Sequence, residues 1–216
     1  MLKDGRRLRS FGSHFLSSGG ARLEIRQINA LDLNLLMLGL ELMIRDFNLL
    51  ATTSRGNEND ACSELWYLLG QIGDSAPTVE KTGVSGLIAA KTALNPFEVI
   101  DKFREILRER PYEFRYTLRI IPVEKVIRTD LGEIQRIAAE LGSKISESET
   151  FRVTVEKRFT GTSTKDIIEA AAAKIERKVD LDKPDKILQI EVIGGLTGVS
   201  IIKPQDVLSI TKEKIL

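Results

Sequence analysis

A chain of 216 residues is long enough for two small domains, and its balance of 42% apolar and 29% charged residues predicts a filled core under a solvated surface. The single cysteine excludes an internal disulfide and no Cys/His cluster has zinc spacing, so we expect a reducing, cytoplasmic location and no structural metal. The net charge of +1 decides neither for nor against nucleic acid, and no apolar stretch is long enough to cross a membrane.

Residues 1–45 form a leader with little regular pattern. A basic segment at residues 6–9 precedes a Gly/Ser-rich stretch at 17–20, and only residues 31–42 have helical spacing. We expect weak order here, and an alternative is that Met43 is the natural start and the residues before it come from an over-extended reading frame. A signal peptide is excluded because charges interrupt the apolar stretch that it requires.

Residues 46–122 follow the order strand, helix, strand, strand, helix, strand. The predicted elements are a strand at 47–53, a helix from the N-cap Asn57 to residue 72, a hairpin with strands at 78–82 and 87–91, a helix capped by Asn95, and a strand at 112–123. This order is typical of ferredoxin-like domains, in which an antiparallel sheet packs two helices on one face. We therefore predict a ferredoxin-like domain at 46–122.

Residues 123–216 have a different order, helix, strand, helix, strand, strand. Asp130 caps a helix that extends to about residue 145, and residues 151–158 alternate apolar and polar side chains as a half-buried strand does. Ser163 caps a helix that extends to residue 179, and apolar strands at 187–193 and 196–202 flank Gly194 and Gly195. The whole chain is therefore predicted to have an α+β or α/β fold with two domains.

No catalytic centre is predicted. His14 is the single histidine, and it lies in the leader without a partner for a triad. The Gly-rich turns at 83–86 and 194–198 lack the spacing of a phosphate-binding loop, and Cys62 is on the border of a predicted helix, where a packed thiol is expected. We expect a protein that is not an enzyme and has no cofactor.

A candidate anion site follows the strand at 151–158. Lys157 and Arg158 end this strand, and the helix that begins at Ser163 exposes backbone N–H groups in its first turn. Thr162, Ser163, Thr164 and Lys165 offer further donors. The alternative is that Ser163 only caps the helix and that the cations face solvent.

Three segments of the chain resemble those of THUMP domains and of the region that precedes them. The two THUMP-like segments are residues 149–158, ETFRVTVEKR, and residues 190–200, IEVIGGLTGVS. Residues 114–123, FRYTLRIIPV, with the ferredoxin-like segment before them, look like the arrangement that precedes THUMP domains in tRNA-modifying proteins. Within this family the chain is most similar to stand-alone archaeal forms and to the eukaryotic adaptor for N4-acetylcytidine formation in the D arm of tRNA.

The resemblance implies a protein that holds tRNA by its acceptor end and single-stranded CCA terminus while a separate tRNA cytidine acetyltransferase performs the chemistry. The implied RNA face, with the Ser163 helix start, consists of Arg152, Lys157, Arg158, Lys165, Gly194 and Gly195, supported by Arg115 and Arg119. We expect charge reversal at Lys157 and Arg158 to weaken RNA binding and to leave the fold intact. The alternatives are a tRNA-binding subunit for thiolation or methylation, and a scaffold that binds proteins without RNA.

Overall fold

The computed structural model describes residues 45–214, so the expectations for the leader, including a start at Met43, lie outside the described residues. Within residues 45–214 the chain forms two five-stranded sheets and five α-helices. This confirms the predicted mixed fold class. None of these helices is long and apolar enough to span a membrane.

The first sheet is antiparallel, with strand order β10-β4-β1-β3-β2. Its elements in chain order are β1 (Leu49–Thr53), α1 (Glu58–Gln71), β2 (Thr78–Lys81), β3 (Leu87–Lys91), α2 (Pro96–Glu109), a 3-10 turn (Pro111–Glu113) and β4 (Thr117–Pro122). Both helices pack on one face, where Phe103 of α2 meets Phe114 edge to face with ring centroids 6.0 Å apart. The order β4-β1-β3-β2 under two helices is the ferredoxin-like arrangement that the sequence predicts.

Two carboxylates of α1 fix this helix to its surroundings. The Asn57 side chain makes no capping bond, contrary to the prediction; instead the Glu58 carboxylate accepts hydrogen bonds from the N–H groups of Gly86 at 2.7 Å and Gly56 at 3.0 Å. These bonds lower the pKa of Glu58. On the other side of the helix, the Glu64 carboxylate accepts hydrogen bonds from the backbone N–H groups of three consecutive residues, 115–117, at 2.6 to 2.9 Å.

The contact with Glu64 also explains why β4 is shorter than the predicted strand at 112–123. Residues 111–113 form a 3-10 turn, and the next backbone N–H groups are directed to the Glu64 carboxylate rather than to a neighbouring strand. Strand pairing therefore begins only at Thr117, which lies opposite Thr53 of β1. Sequence propensity alone does not predict this tertiary competition for backbone donors.

The second sheet has the strand order β5-β9-β8-β6-β7, in which β6 is parallel to β8 and β7. Its elements in chain order are β5 (Lys125–Arg128), α3 (Leu131–Gly142), β6 (Thr150–Arg158), α4 (Thr164–Ala172), β7 (Lys178–Val179), β8 (Lys186–Ile193) and β9 (Leu196–Ile202). Helices α3 and α4 cover one face through an apolar core that includes Ile134, Leu141 and Ile167. Phe151 and Leu188 supply the sheet side of this core.

Two parts of this half differ from the prediction. Helix α4 ends at Ala172, not at residue 179, because the chain turns there and packs Ile175 against Gly142 of α3. The contact requires glycine at residue 142, since an added Cβ would lie 2.9 Å from Ile175 Cγ1. Val179 consequently lies in the edge strand β7 and is 55% exposed. Strand β5, which the sequence analysis did not predict, pairs with β9.

The helix-free faces of the two sheets contact each other through a third, smaller core. This core contains Phe47, Leu50, Leu87, Ala89, Val123 and Ile193. Gly198 of β9 belongs to the same contact, since a Cβ there would lie 3.1 Å from Val123 and 3.3 Å from Phe47. A 3-10 turn (Pro204–Asp206), β10 (Leu208–Ser209) and α5 (Ile210–Glu213) follow β9. The prediction assigned these residues to the second domain, but β10 pairs with β4 of the first sheet.

Candidate functional site

Three loops meet where the parallel strands β6 and β8 end. They are residues 159–163 after β6, the turn of Gly194 and Gly195 after β8, and residues 129–130 before α3, and we call them the carboxyl-end loops. The Gly194 N–H donates to the Arg158 carbonyl at 2.8 Å, and the Thr129 N–H donates to the Gly195 carbonyl at 2.9 Å. The Thr129 hydroxyl also donates to the Gly194 carbonyl at 2.9 Å. These bonds make the three loops one connected surface.

Helices α3 and α4 both begin at this surface. Asp130 Oδ1 accepts a hydrogen bond from the Glu133 N–H at 3.0 Å, and Ser163 Oγ accepts one from the Lys165 N–H at 3.2 Å. The capping roles predicted for both residues are confirmed. Two helix amino termini therefore direct backbone N–H groups to one edge, and their first turns carry the acidic residues Glu133 and Asp166.

The loop at 159–163 is held by its own side chains. Lys157 Nζ donates to the Thr162 carbonyl at 2.8 Å, and the Thr162 N–H donates to Thr160 Oγ1 at 3.2 Å. At the start of this loop, Phe159 has φ +56° and its side chain is 76% exposed. A left-handed conformation costs a non-glycine residue about 1–2 kcal/mol, so the bonds around the loop must hold Phe159 there.

The Arg158 guanidinium forms an ion pair with a buried carboxylate. Its Nη1 lies 2.9 Å from Glu191 of β8, a residue that is 2% exposed, and Gln189 Nε2 donates to the other oxygen of the same carboxylate at 2.7 Å. Burial raises the pKa of Glu191, and the bond with Arg158 and the charge of Arg119 oppose that rise. Charge reversal at Arg158 would place a second carboxylate beside the buried Glu191, so it is not expected to leave the fold intact, contrary to the sequence prediction.

The structure brings together six of the nine predicted site residues, which are Lys157, Arg158, Ser163, Lys165, Gly194 and Gly195. Arg152 lies six residues from Arg158 along β6, which is about 20 Å at the rise of a strand, and its Nη1 donates to the Leu181 carbonyl at 3.0 Å. Arg115 shortly precedes β4 of the first sheet, and its Nε donates to the Tyr112 carbonyl. Arg119 is half-buried in β4. Arg115 and Arg152 therefore lie apart from the carboxyl-end loops, whereas Arg119 is close enough to Glu191, the partner of Arg158, for its charge to lower the pKa of Glu191.

Sequence reasoning did not assign two residues of this surface to the site. Arg128 ends β5 opposite Leu196, directly after the glycine turn, and is exposed. It precedes a capped helix start by two residues, and that spacing was the available signal. Phe159 lies in the loop that was considered for anion binding, but an apolar side chain there carried no signal for phosphate.

The described residues offer few groups for catalytic chemistry. Within 45–214 no group of three or more His, Cys, Asp or Glu side chains is placed to hold a metal ion. Burial raises the pKa of the Cys62 thiol, which disfavours the reactive thiolate. A cleft of about 480 Å³ is lined in part by Lys91, Lys125 and Lys144, and these lysines form ion pairs with Asp46, Glu140 and Glu124 respectively.

Comparison with known proteins identifies the second half of the chain. Residues 128–202 match the family model of the THUMP domain. The uncharacterized protein MJ0421 of Methanocaldococcus jannaschii is 36% identical over 108 residues, which is 45% of this chain and 30% of that protein. The crystal structure of PH1313 from Pyrococcus horikoshii has a TM-score of 0.58 at 18% identity and covers 73% of this chain and 55% of its own.

A second solved structure has a similar extent. TrmN from Thermus thermophilus has a TM-score of 0.50 at 18% identity, and the match covers 74% of this chain and 47% of TrmN. At such identity these likenesses show the fold. The chain spans 30% of its M. jannaschii relative and about half of each solved chain. Residues 128–202, which carry the carboxyl-end loops, are a THUMP domain.

Proposed function

We propose that this chain is a tRNA-binding adaptor that presents tRNA, by its acceptor end and CCA terminus, to a separate modification enzyme, most directly for N4-acetylcytidine formation. The observation that carries the proposal is the THUMP match over residues 128–202, because THUMP domains bind RNA. The assignment to acetylation, rather than to another tRNA modification, rests on the sequence resemblance to the acetyltransferase adaptor.

The geometry of the carboxyl-end loops supports RNA as the ligand. The surface combines two helix amino termini with the exposed cations Arg128 and Lys165, the second of which has a 79% exposed side chain. The ion pair of Lys165 with Glu169 is 3.7 Å long and solvent-exposed, so it costs little to replace by a phosphate. Phosphates of an unpaired strand suit such a surface because they can approach side chains and backbone donors together.

We further propose that the modification chemistry lies in a separate tRNA cytidine acetyltransferase. Two observations support this division of labour. The Cys62 thiol is disfavoured as a nucleophile because burial raises its pKa, and Lys91, Lys125 and Lys144, which line the cleft of about 480 Å³, are each paired with a carboxylate. The adaptor's contribution is then to raise the local concentration of tRNA at the enzyme and to orient it.

Deletion of the gene, followed by nucleoside analysis of total tRNA, tests the adaptor function. We expect N4-acetylcytidine to be lost and to be restored by the wild-type gene but only weakly by a Lys165→Glu gene, since this exposed substitution removes a phosphate contact without changing the core. Loss of a thiolated or methylated nucleoside instead would assign the chain to one of those systems. An unchanged nucleoside profile, with no tRNA in a native pull-down, would favour the protein-only scaffold.

A further inference from the structure

Phe159 is the most exposed large hydrophobic side chain among the described residues, at 76%. It lies in the carboxyl-end loops, between the anchored Arg158 and the polar loop residues that follow it. Exposure of an aromatic ring to water is unfavourable in the free protein. The other two exposed aromatic rings with comparable area, Trp66 and Tyr112, lie in the first domain.

The backbone presents this ring to solvent at some cost. Phe159 is the single non-glycine residue of 45–214 with a positive φ, +56°, in a region that a bulky side chain rarely adopts. The same loop contains a glycine two residues later, Gly161, and glycine adopts a positive φ without strain. The chain nevertheless holds the phenyl group, not a glycine, at the strained position.

The backbone on both sides of the ring is anchored. Before it, the Arg158 carbonyl accepts the Gly194 N–H and the Arg158 guanidinium is bonded to Glu191. After it, Lys157 Nζ donates a hydrogen bond to the Thr162 carbonyl across the loop. An aromatic side chain on an anchored backbone loses less conformational freedom when a flat ligand stacks on it than one on a free loop does.

The surroundings of the ring select the kind of ligand. Residues 160–163 are threonines, glycine and serine, and the exposed cations Arg128 and Lys165 flank the carboxyl-end loops, next to the exposed carboxylates of Asp130 and Asp166. An aromatic face beside cations is the combination that binds single-stranded nucleic acid, since the base stacks on the ring while its phosphates meet the cations. An apolar protein partner would need a continuous apolar surface around the ring, whereas residues 160–163 of its own loop are polar or glycine and, within 45–214, Leu131 is the one exposed large apolar side chain that adjoins the carboxyl-end loops.

We propose that Phe159 forms a nucleobase subsite, in which its ring stacks on one unpaired base of the RNA that the THUMP domain holds. This inference rests on the proposed RNA-binding function and adds a specific contact to it. The subsite takes a base by its aromatic face, so it is tolerant of base identity and requires an unpaired nucleotide.

Substitution of Phe159 in the full chain tests the subsite. With a fluorescent single-stranded RNA that ends in CCA, Phe159→Ala is expected to weaken binding about 5- to 150-fold, while Phe159→Trp retains it. The slope of log affinity against log salt should not change, because the lost contact is uncharged. Tyr112→Ala, which removes a 62% exposed ring from the first domain, is the matched control and should bind as the wild type does.

Two further variants keep the test decisive. Phe159→Gly relieves the positive φ, so its melting temperature should be no lower than that of the wild type while its RNA binding is as weak as that of Phe159→Ala. In a Trp66→Phe background, the fluorescence of Phe159→Trp should be quenched by the RNA. If the wild type binds RNA and Phe159→Ala binds within twofold of it, the subsite is wrong and the proposed function stands. If the wild type does not bind RNA, the proposed function itself is wrong.

Discussion

Arg158→Glu is expected to lower the free energy of unfolding by about 3–5 kcal/mol, the range found when one partner of a buried ion pair is removed. The substitution places a carboxylate beside Glu191, which is 2% exposed and has the Arg158 guanidinium as its ionic partner at 2.9 Å. Gln189 supplies one neutral donor to Glu191, which does not balance two adjacent carboxylates. Urea unfolding of the full chain, followed by circular dichroism, measures the effect.

The pH dependence of this loss identifies its cause. Burial raises the pKa of Glu191 above its ordinary value of 4.5, so protonation of Glu191 favours the folded state. The stability that this protonation contributes is fully present below pH 4.5 and is lost as the pH rises through the raised pKa. The introduced carboxylate raises that pKa further. The difference in stability between Arg158→Glu and the wild type should therefore be larger at pH 7 than at pH 4.

Lys165→Glu is the control for this prediction because its side chain is 79% exposed and its partner Glu169 is also exposed. Its unfolding free energy should stay within about 0.5 kcal/mol of the wild type. The double substitution of Arg158 to Met and Glu191 to Leu, which removes both charges, should be much less destabilised than Arg158→Glu. Equal stability of Arg158→Glu and Lys165→Glu would contradict the assigned ion pair.

Binding of intact tRNA is expected to weaken by about sevenfold between about 50 and 200 mM salt. This follows if the two exposed cations Arg128 and Lys165 each neutralise one phosphate, since every contact to a single strand contributes about −0.7 to the slope of log affinity against log salt. Removal of the CCA terminus takes away the phosphates that these cations would meet, so the slope should become shallower by about 1.4 and the affinity at low salt should fall. Fluorescence anisotropy with intact and trimmed tRNA measures both quantities.

A duplex RNA of the same length without an unpaired end is the control for these binding experiments. It should bind as weakly as trimmed tRNA, because it offers phosphates but no single-stranded terminus. If intact tRNA, trimmed tRNA and the duplex bind with the same affinity and the same slope, the protein does not recognise the acceptor end.

Local sequence signals predicted much of the fold. Asn95, Asp130 and Ser163 each accept the capping hydrogen bond expected of them, and alternation along residues 151–158 marks the half-buried strand β6. These features depend on neighbours within four residues, so they can be recognised in the sequence alone. The ferredoxin-like order and the mixed fold class follow from the same local signals.

The features that the sequence analysis missed depend on distant partners. Glu64 is 51 residues from the N–H group of Arg115, and it shortens β4 by taking donors that a strand would use. Arg158 is 33 residues from Glu191, so its pairing becomes visible only when β6 lies beside β8. Charge alone suggested that Arg158 faces RNA, whereas the fold places its guanidinium on a buried carboxylate.

Ultraviolet crosslinking of intact tRNA to the full chain, followed by tryptic digestion and mass spectrometry, tests the central claim most directly. Trypsin cuts after Arg158 and Lys165, so the loop with Phe159 is released as one peptide, residues 159–165. We expect the RNA adduct on this peptide, with further adducts on the residues around Thr129 and Gly194, because these segments form one surface. Adducts found only outside residues 128–202 would contradict the proposal that the THUMP domain holds the tRNA.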